Sequence, residues 1–190
     1  IITIDDVVDI IEEEATEDME KMAAMLPSEK PYDQTTIFET YKARMPWLLL
    51  LMISATFTGK IIESFEEELK AYTILTAFIP MLMDTGGNAG SQSSVSVIRA
   101  LSLNDIEFKD IFKVMWKESK VAILCSLTLA LCNFLKLLII DRIPLLVSLT
   151  VCLTLIVTII LAKLIGCTLP MIAKKLKFDP AVMASPFITT

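Results

Sequence analysis

The chain contains no histidine in 190 residues, and that one absence removes several kinds of chemistry. A Ser/His or Cys/His nucleophile has no base to activate it. The four cysteines, Cys125, Cys132, Cys152 and Cys167, form no CxxC pair and lie inside apolar runs. A zinc or iron–sulfur site therefore lacks ligands, and the thiols read as small packing residues. Glycine is also scarce: there are five, and Gly86, Gly87 and Gly90 fall within one short stretch. Bases are missing from the first twenty residues, which carry nine acids. This beginning lacks the basic region and apolar core of a secretory signal. With a net charge of −6, the chain has no basic footprint for nucleic acid, and no such partner is expected.

Apolar sequence is present in quantity. The chain is 54% hydrophobic with a mean hydropathy of +0.64. Residues 1–44 are polar and acidic, whereas residues 45–190 are dominated by the apolar segments Pro46–Ile62, Ala71–Leu103, Val121–Ile140 and Ile143–Ile172, with another beginning near Ala181. A helix needs about 20 residues to cross ~30 Å of hydrocarbon, so an all-α membrane protein is predicted. The connectors alternate in charge. Lys42 and Arg44 precede the first span; Arg99, Lys109, Lys113, Lys117 and Lys120 follow the second; Lys174, Lys175 and Lys177 follow the fourth. This places the N-terminus and the basic connectors in the cytoplasm of a multi-pass protein.

Local signals refine the picture. Ile1–Ile4 is β-prone, and Asp5 or Asp6 is the expected N-cap of the helix that follows. Ile37–Arg44 reads as a short polar lead into the membrane. The lysine-interleaved stretch 104–120 reads as an interfacial amphipathic helix. Asp179 before Pro180 marks the start of a fifth helix that Pro186 perturbs, freeing carbonyls near Val182 and Met183; with Ser185 and Thr189 these either line a pore or mark a structural kink alone.

The chemistry concentrates in PMLMDTGGNAGSQSS, residues 80–94. On a helix, Asp84, Asn88 and Gln92 recur at i, i+4 and i+8 on one face, with Ser91 beside them. Oxygen donors without Cys or His suit a hard cation such as Mg²⁺. The small residues between them equally suit close helix packing, and Asp84 at an interface with water is a further alternative. The acids Asp6, Asp9, Glu14, Glu17 and Asp18 are similarly open to two readings. They are either a solvated helix face or a surface whose self-repulsion divalent cations relieve. Glu63, Glu66, Glu67 and Glu68 read as a solvated loop.

Three stretches resemble one family. FIPMLMDTGGNAGSQSSVSVIRAL is similar to the second membrane helix of the MgtE magnesium channels, with GGNxGxQ followed by R-A-L. ITIDDVVDIIEEEATEDMEKMAAM resembles the end of that family's second CBS domain and the passage into its connecting plug helix. FDPAVMASPFITT resembles the start of its fifth membrane helix. The resemblance implies an MgtE-like transmembrane helix bundle, five helices per subunit, in a homodimer with the pore on the dimer axis. It divides the chain into 1–20, the end of a CBS domain; 21–44, the plug helix and linker; and 45–190, a transmembrane domain cut in its fifth helix. It implies Mg²⁺ as both transported and regulatory ion, in the cell membrane and without enzymatic activity. By position, Asn88, Ser185 and Thr189 match pore positions, and Asp6, Asp9, Glu14, Glu17 and Asp18 match the sensing acids. Ser91 stands where some members have a pore-facing Asn. The family's central pore carboxylate falls beyond Thr190, so neither a complete pore nor a complete sensor is expected here. Two competing functions are a carrier coupled to protons or sodium through Asp84, and a membrane-anchored sensor without flux.

Overall fold

The computed structural model describes residues 3–28 and 30–183. Helix α1 (Ile4–Met22) is the acidic segment. Its N-cap is Thr3, not Asp5 or Asp6. The Thr3 hydroxyl accepts from Asp6 N, and the Asp6 carboxylate accepts from Thr3 N at 2.7 Å. This reciprocal capping box satisfies two end groups where a lone Asp cap would satisfy one, so Ile4 becomes helical despite its β preference.

Helix α2 (Ile37–Ser64) absorbs the expected polar lead into one 28-residue helix, about 42 Å long, running through Pro46. Its own capping box, Thr36 with Glu39, starts it early, and Lys30 Nζ reaches Glu39 at 2.6 Å. No α2 residue is buried. Two short helices follow, α3 (Glu66–Ala71) and α4 (Thr73–Thr76), so Glu66, Glu67 and Glu68 are helical and not loop.

Helix α5 (Ile79–Ser102) carries the glycine-rich stretch. After a 3₁₀ turn at Phe108–Asp110, α6 (Ile111–Ile139) and α7 (Leu145–Lys175) follow. The amphipathic stretch is no separate interfacial helix. From Ile111 it forms the first turns of α6, because no Gly or Pro occurs between Ile111 and Ile139 to break the helix. Among the described residues, α2, α7 and the stretch Phe108–Ile139 are long and apolar enough to cross a membrane.

Helix α7 lies at the centre, packed against α5 and α6. Ala89, Leu155 and Ile159 form its middle contact with α5. Val97 and Leu101 meet Cys167 and Met171 at one end. Ala130 and Leu137 meet Val151 and Cys152 towards the other. Cys152 and Cys167 are buried as expected of packing residues, while Cys132 is exposed. The helix ends show the shortage of glycine. Ala24, Asn104, Arg142 and Lys177 take positive φ (59°, 55°, 51° and 61°) just after α1, α5, α6 and α7. In three of these turns a 6→1 bond closes the end: Met25 N to Glu20 O, Asp105 N to Ala100 O, and Phe178 N to Ala173 O.

Candidate functional site

Helix α5 has two chemically distinct faces. Gly86, Gly87, Ala89, Gly90, Ser93, Ser94, Val97 and Ile98 are buried. Their small size lets α5 and α7 approach backbone to backbone. A methyl group at Gly166 would overlap the Gly90 carbonyl, and one at Gly86 would lie 2.7 Å from Thr158 Cγ2. Small residues are what close helix contact in a membrane requires. The packing reading of the glycines therefore holds on this face.

Asp84, Asn88 and Gln92 lie on the other face, all exposed and in helical register. The two readings of residues 80–94 thus apply to opposite sides of one helix. Asp84 and Asn88 line an open cleft of about 480 Å³ with Gly87, Pro80, Met83, Ile79 and, from α2, Ile62. Ser91 is intermediate in exposure, and its hydroxyl is buried without a partner among the described residues. Ser185 and Thr189 lie outside the described residues.

The acids of α1 are not gathered into one centre. Asp6, Asp9 and Glu14 are exposed, and Asp6 is held by Thr3, which keeps its carboxyl below the usual range. Among the described residues, no group of three or more acidic or cysteine side chains is placed to hold a metal. Glu17 and Asp18, near the end of α1, are half-buried, and α1 packs on the turn after α7. Asp179 caps that turn, accepting from Ala181 N at 2.9 Å as its place before Pro180 suggests. Lys21 bridges the two segments, pairing with Glu17 and with Asp179 Oδ2 at 2.5 Å. Burial, then the charge of Asp179, raises the Asp18 carboxyl above the usual range.

Residue reading missed two things here. One is the juxtaposition of Asp18 with Asp179, which no sequence spacing encodes. The other is Lys163, the lone charged residue between Leu145 and Lys174 and 5% exposed. A single charge within an apolar run was its available signal.

A profile of the MgtE family, described as a divalent cation transporter, matches residues 79–190. The whole chain is also similar to proteins named magnesium transporter MgtE. It is 36% identical to that of Thermus thermophilus over 190 residues, 36% to that of Bacillus subtilis over 194, and 30% to that of Enterococcus faecalis over 195. Each match covers 100% of this chain but only 42%, 42% and 41% of the respective relative.

Proposed function

The chain belongs to the MgtE family of divalent cation transporters, and from that premise we propose that the complete protein moves Mg²⁺ across the cell membrane. The observation that carries this reading is the exposed stripe Asp84, Asn88 and Gln92 on a helix whose opposite face is packed by glycine, alanine and serine. Exposed oxygen donors in a membrane helix need water or an ion path beside them, since lipid satisfies neither. Mg²⁺ releases its water reluctantly, so carboxamide oxygens suit contact through the hydration shell.

A second subunit completes the path. The stripe faces away from the subunit's own core, and α2 has no buried residue, so both surfaces are open to a partner of the same kind in a homodimer within lipid. The basic connectors then lie in the cytoplasm with α1. Residues 1–20 close a CBS domain, 21–44 connect it, and 45–190 enter the membrane. The ion is both cargo and regulator. The repulsion between Asp18 and Asp179, with Glu17 tied to Asp179 through Lys21, supports a cytosolic switch, because a divalent cation between these acids would relieve the repulsion and hold α1 on the membrane domain.

The test is Mg²⁺ flux into liposomes by the complete protein, with voltage, proton and sodium gradients collapsed one at a time. Flux that follows voltage and Mg²⁺ alone is expected. Flux abolished by removing the proton or sodium gradient would make the protein a coupled carrier. Mg²⁺ binding without flux would make it a sensor.

A further inference from the structure

Behind the proposed path, on the buried face of α5, lies a second polar cluster that transport along the stripe leaves unused. Ser93 is 1% exposed, and its hydroxyl donates to Glu118 Oε2 on α6. Lys163 of α7 is 5% exposed. Glu118 and Lys163 both act electrostatically on the Cys167 thiol, which α7 buries against Val97 and Leu101 of α5. The Ser94 hydroxyl, 0% exposed, lacks a partner among the described residues, as does that of Ser91. Packing three apolar helices requires neither of the two charges, and ionisable groups within hydrocarbon are costly.

The stripe and this cluster lie on opposite faces of α5. A helix with its side chains is about 10 Å across, so a cation beside Asn88 lies on the order of 10 Å from the buried charges. Unit charges act appreciably on a divalent ion over that distance when little water intervenes. A conducting path must bind its ion strongly enough to admit it and weakly enough to release it.

We propose that Glu118 and Lys163 are opposed charges set behind the ion path that determine its affinity for divalent cations, Glu118 raising it and Lys163 lowering it, without either touching the ion. This rests on the reading of the α5 stripe as the path.

The two charges carry opposite signs, so their removal has opposite effects, which distinguishes this role from packing. In liposomes holding the complete protein, Lys163→Met should lower the half-saturating Mg²⁺ concentration on the order of tenfold, and Glu118→Gln should raise it similarly. The double variant should return to within about twofold of the unaltered protein, because the two effects offset. Lys163→Arg keeps the charge and should keep the unaltered value. If Lys163→Met does not fold, Lys163→Arg combined with Glu118→Gln should still raise the half-saturating concentration. Shifts in the same direction for both single variants, or no shift in either, overturn the proposal while flux by the unaltered protein leaves the transport reading standing. Absence of flux in the unaltered protein overturns both.

Discussion

Lys21 Nζ lies 2.5 Å from Asp179 Oδ2, a contact spanning 158 residues that ties the acidic helix to the turn after α7. Burial disfavours the ammonium, but hydrogen bonds to Asp179 and Glu17 outweigh it and raise Lys21 above the ordinary lysine range. A base raised in this way contributes to docking at every pH below its ordinary value of 10.5 and loses that contribution only as pH rises further. Lys21→Met should therefore loosen α1 throughout the neutral range. The pair is partly solvated, so the loss should be about 1 kcal/mol, or roughly fivefold in the opening equilibrium. Faster amide hydrogen exchange over residues 4–22, without change in α7, would register it.

Asp18 opposes docking at neutral pH, where Lys21 supports it. Its carboxyl is raised by burial and then by Asp179, so the docked state favours the protonated acid. Docking is then strongest at low pH and weakens as pH climbs past the ordinary carboxylate value of 3.8 through the raised one. Asp18→Asn should hold α1 more tightly at pH 7 without divalent cations and should abolish the weakening between acid and neutral pH. Label-to-label distances between positions 13 and 177 would measure both effects. A variant that undocks at neutral pH contradicts this account.

Gly166 and Gly59 make a matched pair. The Gly166→Ala methyl overlaps backbone at Gly90, which cannot swing aside as a side chain would, whereas Gly59→Ala meets nothing within 4 Å. The first should cost about 1–3 kcal/mol through overpacking. The second, in the interior of α2, should be neutral or stabilising by up to about 1 kcal/mol. Thermal melts in detergent should separate the two.

Asn88→Ala tests the stripe. Asn88 is exposed and makes no hydrogen bond with a described residue, so the melting temperature should not change. Losing one hydrogen bond to a hydrated ion costs about 1.5 kcal/mol, so Mg²⁺ flux should fall roughly tenfold. Normal flux would remove Asn88 from the path.

Much of the architecture follows from local order along the chain. Apolar runs long enough to span a bilayer foretell α2, α6 and α7, since helix is the conformation that satisfies a spanning segment's backbone internally. A period of four residues puts Asp84, Asn88 and Gln92 on one face wherever α5 sits. Asp179 before Pro180 foretells a capped turn. Helix limits were less legible, because Thr3 and Thr36 cap through reciprocal bonds and no breaker stands at Lys120.

The sequence by itself thus determined helices, their apolar lengths and the polar stripe, all of which depend on neighbours within a few positions. Only the tertiary structure decided which face of α5 is covered, because that depends on Gly90 meeting Gly166. It also decided that Lys21 of α1 pairs with Asp179 and that Ser93 bonds Glu118. Side-chain spacing propagates along a helix, whereas charge pairing and backbone contact arise between helices whose separation in sequence carries no record of their distance in space.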